Sequence, residues 1–425
     1  MSISTFVRRR AGITVLALVG LALTSCSSLT GASDSSSGAA SGSELTIGVL
    51  APLTGGSAAD GKLAQQGAQL AIDHLNAGGG VKGHRLKLDV VDVKDQTSAA
   101  VSAAVTQLTA DSSVVAVVTG YASTTNFEID LLAQAGMPYI LGGNSTQTEG
   151  IISKNPSKYP GVWSIAPTYA GYSTEFPKVL ENWNSDGTFK LRNQNAYIIS
   201  NSSPYASGVA TGLQSTLAGK GWAVTGPDTV PFGAVDDWTT QITKVHSKDP
   251  SVVINTDYLT ANAAKFLTQF RQNPTNSLVF SLYAPSVPEF LTLAGPNADG
   301  VIYNLPFSPL QTLQRTKDLT QEYTSKYNTA PGLYGIALYE QVMLWAAAAN
   351  QVGDPSQKDK VGAAIGTLTE KTSLGTVQFD PKTHLAISGD NNIPFTFYQI
   401  QNGKRVTIAP AAYAEGKFVT PSWIK

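Results

Sequence analysis

The sequence predicts an α/β protein of two lobes, each built on a parallel β-sheet flanked by helices. Three observations carry that expectation. Short apolar, largely β-branched runs alternate with longer stretches whose apolar residues recur at helical spacing, the mark of βαβ units that cover both faces of a sheet. The alternation halts at a Pro-, Gly- and Tyr-containing break, residues 155–171, and then begins again. Roughly 380 residues follow the N-terminal segment, enough for two domains of ordinary size.

In order, 45–50 is a short apolar strand and 61–76 a helix, with Leu63, Ala64, Leu70, Ala71 and Leu75 at helical spacing. Residues 86–93 alternate as a strand, 99–108 read as a helix, and 114–119 form a β-branched strand buried on both faces. A helix over 127–136 and a strand over 138–141 close the first series. After the break, strands are expected at 195–200, 223–230, 252–256 and 277–282. Helices at 207–219, 238–247, 261–272 and 287–294 complete that series, and a second parallel sheet follows from it. A long, largely apolar helix spans 335–352 behind a Pro-Gly break, and a late strand at 396–401 runs into an Asn402-Gly403 turn. With elements this far along the chain, more than one crossing between lobes is expected. No short sequence repeat marks the two halves.

Ahead of this body the composition differs. Arg8, Arg9 and Arg10 precede an apolar run, 11–23, of thirteen residues. A membrane-crossing helix needs about 20, so the pair reads as a secretory signal over residues 1–25. It ends in Leu23-Thr24-Ser25-Cys26, which resembles a bacterial lipobox, and Cys26 is the single cysteine of the chain. Cleavage before Cys26 and lipidation on it are expected. Residues 26–44 then form a tether, because 27–43 is nearly all Ser, Gly, Ala and Thr and cannot bury a core. The first 25 residues carry three arginines and no acids, so their loss leaves 26 basic and 30 acidic side chains, a net charge of −4. That balance is no footprint for nucleic acid and gives no basic face for a membrane surface.

In open parallel sheets, ligands bind beyond the carboxyl ends of the strands. Those positions are 51–61, 92–97, 120–125 and 142–147 in the first lobe, and 201–205, 257–260 and 283–286 in the second. Gly120-Tyr121-Ala122-Ser123-Thr124-Thr125 and Gly142-Gly143-Asn144-Ser145-Thr146 each join a strand to a helix with small and hydroxyl residues. Backbone N–H groups and hydroxyls at such a helix start suit an anionic or strongly polar group. Ordinary N-capping explains either loop alone; two of them at one sheet edge favour a ligand. Opposite them Tyr205, Tyr258 and Tyr283 each follow a strand, and aromatic faces with a hydroxyl handle fit a cleft that closes on a small molecule.

Catalytic patterns are not in evidence. Gly78-Gly79-Gly80-Val81-Lys82-Gly83 matches G-x-G-x-x-G, yet it follows a helix and precedes a strand, the reverse of the dinucleotide-binding context. There is no P-loop and no G-x-S-x-G elbow. His74, His84, His246 and His384 lack metal-ligand spacing. A binding protein without cofactor, metal or catalysis is expected; a secreted hydrolase is the weaker rival, since no nucleophile–base pair is visible.

Several segments together resemble one known family. Ile47-Gly48-Val49-Leu50-Ala51-Pro52-Leu53-Thr54-Gly55, then Gly61, then Ala71-Ile72-Asp73-His74-Leu75-Asn76-Ala77 and Gly79 to Gly83 resemble the opening of the leucine/isoleucine/valine-binding protein family. So do Asp92 and Asp95 before a helix, Ala116 to Gly120 before the hydroxyl-rich loop, and Ser203-Pro204-Tyr205-Ala206-Ser207-Gly208 in the second lobe. The likeness runs from about residue 45 to the C-terminus, and it lies in the order and spacing of these motifs. It implies the type I periplasmic-binding fold: two Rossmann-like lobes, 45–166 with 305–390 and 167–304 with 391–425. Three hinge crossings near 165–168, 303–307 and 388–393 would join them. It also implies a function, that of a monomeric solute-binding lipoprotein of an ABC importer. Such a protein is held at the outer face of the membrane by its lipid and delivers a branched-chain amino acid, an amide or a similar solute to permease subunits. A sensory receptor that signals to a partner uses the same fold and remains the alternative.

The resemblance further implies a site. Thr124, Gly143 and Ser145 fall where a ligand carboxylate is held, on loops that also carry Tyr121, Ala122, Ser123 and Asn144. Asp60 falls where the first loop touches the ligand, and Tyr205 and Tyr258 stand opposite. Where amino-acid-binding members place an acid for the α-ammonium, this chain reads Leu282-Tyr283-Ala284-Pro285. Asp257 or Asp60 would have to substitute; otherwise the departure points to amides or another polar solute, because a buried ammonium without a partner is costly.

Overall fold

The computed structural model describes residues 42–425. The expected signal segment, Cys26 and nearly all of the tether lie outside them. β1 (Leu45–Ala51) and β3 (Val114–Thr119) are buried along their whole length, as apolar strands inside a parallel sheet are. β2 (Leu86–Asp92) pairs with β1 on its other side, and β4 (Tyr139–Leu141) and β5 (Val162–Ser164) extend the sheet. The order is β2-β1-β3-β4-β5, all parallel. The connecting helices are α1 (Ala58–Ala77), α2 (Ser98–Ala110), α3 (Glu128–Gln134) and α4 (Ser145–Ile152).

The chain then leaves this sheet through α5 (Ala170–Asp186) and lays down five more parallel strands. They are β6 (Asn195–Asn201), β7 (Ala223–Val230), β8 (Val252–Asn255), β9 (Leu278–Ser281) and β10 (Ile302–Leu305), separated by α6 (Pro204–Gly219), α7 (Thr239–Lys248), α8 (Thr260–Phe270) and α9 (Pro288–Ala294). Their order, β7-β6-β8-β9-β10, repeats that of the first sheet: second, first, third, fourth, fifth. Each sheet therefore reverses its winding beside its own first strand, and a doubly wound sheet opens its crevice at such a reversal.

From β10 the chain returns to the first sheet as α10 (Gln314–Tyr327), α11 (Gly332–Val352) and α12 (Lys358–Ile365), followed by a small hairpin of β11 (Glu370–Thr372) and β12 (Gly375–Val377). It then passes over again, and β13 (Thr396–Gln401) and β14 (Lys404–Ala409) extend the second sheet from β10. α11 is apolar nearly all round and correspondingly buried. It crosses α1 backbone to backbone: a Cβ on Gly67 would run into the Gly335 carbonyl. Its one buried amide, Gln341, donates to the Thr119 carbonyl (3.0 Å) and accepts from the Thr119 N–H (3.2 Å), fixing the end of β3.

Three expectations need correction. The second sheet is mixed, because β13 and β14 join it antiparallel. The break at 155–171 contains β5 and the first residues of α5, which the Pro and Gly content obscures in the sequence. Residues 302–305 are strand, so the run expected as a crossing begins inside β10. Among the described residues no helix is long and apolar enough to cross a membrane.

Candidate functional site

The carboxyl ends of both sheets face one cleft. Its floor on the first sheet begins with the loop after β1, where the Asp92 carboxylate accepts from the Leu53 N–H and the Thr54 hydroxyl, both at 2.8 Å. The loop then folds against α1, so closely that a Cβ on Gly61 would run into the Pro52 carbonyl. This packing sets Asp60 in the first turn of α1 with 6 % of its surface exposed.

The loop after β3 brings Tyr121 over that carboxylate. Gly120 makes room for the ring of Tyr334, whose Cδ1 would sit 2.7 Å from a Cβ there, and Gly143 makes room for Tyr121 itself. The hydroxyl-rich residues are largely spent on one another. Ser123 donates to the buried Glu128 (2.5 Å) and accepts from the Asn126 N–H (2.8 Å). Asn126 donates to Thr148 (2.8 Å), and Asn144, at φ +53°, donates to the Ser123 carbonyl (2.7 Å). Burial pushes the Glu128 carboxyl up. Ser145 differs: its Oγ is buried and has no hydrogen-bond partner among the described residues.

On the second sheet, Tyr205 enters from the first turn of α6 and Tyr258 from the end of β8. Tyr283 follows β9 at φ +49°, a left-handed backbone state that a bulky residue rarely takes. Arg405 of β14 holds the loop behind it, donating to the carbonyls of Pro285 and Val287, each at 2.6 Å. Asp257 is enclosed by donors: the side chains of Asn201 and Asn262 at 2.8 Å each and the Leu259 N–H at 3.0 Å. Burial raises its carboxyl as well.

The result is a small cavity, continuous with solvent and lined by seven tyrosines: 121, 169, 172, 205, 258, 283 and 334. Gln96, Asn144, Phe307 and Leu333 complete the wall. Tilted or edge-to-face contacts chain the rings, Tyr121–Tyr334 at 5.3 Å and Tyr334–Tyr283 at 5.9 Å on one side. Tyr172–Tyr169 and Tyr169–Tyr205 at 5.3 Å, with Tyr205–Tyr258 at 5.4 Å, make the other. Burial raises every one of these phenols, so at neutral pH each remains a neutral hydroxyl.

Asp60 stands directly behind the wall. Tyr121 of the first sheet donates to its Oδ2 at 2.6 Å, and Tyr283 of the second donates to its Oδ1 at 2.9 Å. Burial raises its carboxyl to about 6, although both hydroxyls favour the charged form. One acid thus touches both sheets across the cleft.

Of the residues expected from the sequence, Tyr121, Asn144, Tyr205, Tyr258 and Tyr283 line the cavity, and Asp60 bonds two of them. Ala122, Ser123, Thr124, Gly143 and Ser145 lie on the adjoining loops outside the lining, and Asp257 lies outside it within its own set of donors. Tyr169, Tyr172, Phe307, Leu333 and Tyr334 fall outside the sequence expectation. They sit beyond β5, in α5, beyond β10 and in the first turn of α11, none of them a strand-end loop of the two series. The signal available is Tyr169 and Tyr172 at helical spacing, and the Leu333-Tyr334 pair behind the Pro331-Gly332 break.

Comparison with known proteins agrees with this architecture. Residues 44–405 match the family model described as periplasmic binding protein. The chain is 24 % identical over 383 residues to Leu/Ile/Val-binding protein homolog 3 of Brucella melitensis, covering 85 % of this chain and 93 % of that one. A solved structure from Silicibacter pomeroyi, assigned to a branched-chain amino acid ABC transporter, superposes with a TM-score of 0.79 at 27 % identity, over 89 % of this chain and all of that one. The substrate-binding protein LivJ of Streptococcus pneumoniae, solved in complex with isoleucine, shares the fold with a TM-score of 0.70 at 22 % identity, over 86 % of this chain and 100 % of that one.

Proposed function

The chain belongs to the periplasmic binding protein family, and on that premise we propose that it is the extracytoplasmic solute receptor of an ABC importer. The observation that carries this reading is the tyrosine-lined cavity between the carboxyl ends of two sheets, with Asp60 hydrogen-bonded to a residue of each. A guest that touches both halves of a shared site favours the closed form, which couples occupancy to closure.

The solute is a small polar molecule, a branched-chain amino acid, an amide or similar; relatives named for leucine, isoleucine and valine support that size class. Lobe one comprises 45–166 with 305–390, lobe two 167–304 with 391–425, and the three passages between the sheets act as hinges. The first lobe receives the solute against Gln96, Tyr121 and Asn144, with Thr124, Gly143 and Ser145 on the loops that carry or adjoin them. The second lobe then brings Tyr205, Tyr258 and Tyr283 over it and excludes water. A lipid on Cys26 keeps the monomeric receptor near its permease, and the closed face of both lobes docks there. Capture for transport, rather than catalysis, fits a cavity walled by neutral phenols and amides, with no nucleophile–base pair facing it among the described residues.

A thermal-shift screen of residues 44–425 against amino acids, amides, urea, short carboxylates and sugars tests this. A solute that binds the native state raises the melting temperature by mass action, and one chemical class is expected to do so. Turnover of any panel member in place of simple binding would overturn the reading.

A further inference from the structure

A second pocket, open to solvent, lies behind the Tyr283 loop; Leu333 lines both it and the tyrosine cavity. It straddles the passage from the second sheet back to the first. Tyr303, Tyr398 and Arg405 wall it from β10, β13 and β14. Pro309, Thr320 and Pro331 wall it from the passage, from α10 and from the turn into α11. Its volume, about 140 Å³, is near that of a cavity that takes up benzene. Most of the wall is apolar, and the rings of Tyr303 and Tyr398 stack at 4.8 Å.

Two polar groups of this wall lack partners. Arg405 spends Nε and Nη2 on the carbonyls of Pro285 and Val287, and its Nη1 has no hydrogen bond among the described residues. No carboxylate acts on its charge; the groups that do are the neutral phenols of Tyr303 and Tyr283. Ser286, only 6 % exposed, has a buried hydroxyl without a partner among the described residues. Glu415, the other charged group of the wall, already accepts through Oε2 from the Thr407 hydroxyl (2.8 Å) and N–H (3.4 Å). A half-buried guanidinium without a counter-charge and a buried hydroxyl without an acceptor are each costly. The two oxygens of a carboxylate supply what both lack.

We propose that this pocket is a second binding site, for a small monocarboxylate with a compact apolar body whose oxygens accept from Arg405 Nη1 and Ser286 Oγ. The site is separate from solute capture in the cleft and stands on its own geometry. A cation is repelled by Arg405, and a neutral amide brings no opposite charge to it. Occupancy also reaches the cleft. Ser286 and the two carbonyls held by Arg405 belong to the loop that follows Tyr283, whose hydroxyl donates to Asp60. Tyr283 stands at φ +49°, so a ligand that pins the far side of its loop steadies a strained state. By linkage, whatever the cleft binds through Tyr283 favours the carboxylate in turn.

Calorimetric titration of the purified protein at pH 7 tests the proposal, with pivalate and isobutyrate against pivalamide, isobutyramide and isobutylamine. The carboxylates are expected to bind about tenfold more tightly than their amides, and the amine not at all. Ala330→Trp, at the exposed rim of the pocket, fills it and should abolish this binding. Tyr205→Ala, which alters the tyrosine cavity instead, should leave it in place. Ser286→Ala should weaken pivalate about fivefold, and Arg405→Gln should erase its advantage over pivalamide. Amide hydrogen exchange across residues 283–287 should slow about threefold or more at saturating pivalate. No carboxylate binding, equal affinity for pivalate and pivalamide, or binding kept in Ala330→Trp and lost in Tyr205→Ala overturns the second site and leaves capture in the cleft standing. Unchanged exchange at saturating pivalate overturns its link to Tyr283.

Discussion

Asp60 is held in a state the fold itself disfavours. In the unfolded chain an aspartate ionises near 3.8, while burial in the native protein raises it to about 6. Between those values the native state binds more protons, so its stability falls as pH rises through the window. Ionising a carboxyl displaced that far costs the native state about 3 kcal/mol at neutral pH. Asp60→Asn removes that cost and keeps a partner for both tyrosine hydroxyls. The variant is expected to be more stable than the native protein at pH 7, by about 1–3 kcal/mol in denaturant unfolding, with the gain vanishing at pH 4. Equal or lower stability of Asp60→Asn at pH 7 would mean that the carboxylate is not strained. Residues of this kind are half legible in the sequence. Asp60 stands out by its place in a strand-end loop, but nothing in its neighbourhood announces Tyr121, 61 positions away, or Tyr283, 223 positions away. The hydroxyl loops are easier to find, yet their composition does not tell that Ser123, Asn126 and Asn144 hydrogen-bond within and between them.

At the scale of elements, the long apolar runs are readable because burial on both faces leaves a continuous signal, as in β1 and β3. Short or interrupted elements are not. β5 has three residues, and α5 carries Pro177 in its interior, a residue that ordinarily stops a helix. β14 alternates too weakly to stand out as a strand, although it supplies the arginine that braces the Tyr283 loop. Arg405→Ala strips two bonds from that loop, and Tyr283, already at a costly φ, is then free to relax away from Asp60. Solute affinity is expected to drop about tenfold, measured by calorimetry, with global stability lowered by about 1–3 kcal/mol for the bonds lost. The crossing of α1 and α11 allows a second check. Gly67→Ala pushes a methyl onto the Gly335 carbonyl, and such overpacking of two backbones costs about 1–3 kcal/mol or more. A neutral substitution in thermal unfolding would mean that the helices do not approach so closely.

Over the whole molecule, one strand order is used twice, without any short repeat in the sequence to betray it. The repetition matters because it turns two crevices toward each other, so that the strand ends of each sheet supply half of one cavity. Fold class and the two-sheet plan follow from periodicity alone, whereas the antiparallel addition of β13 and β14 depends on tertiary pairing that local pattern does not encode. The seven tyrosines come from strand ends, from helix starts and from the passages between sheets, so the cavity exists only when the halves meet. Closure therefore needs something to favour it, and a ligand shifts such a balance only by its preference for the closed form. The most direct measurement is small-angle X-ray scattering of the same sample with and without the solute found by screening. A smaller radius of gyration is predicted with solute bound, matching the closed arrangement in which Asp60 bonds both Tyr121 and Tyr283. An unchanged scattering profile at saturating solute would contradict it.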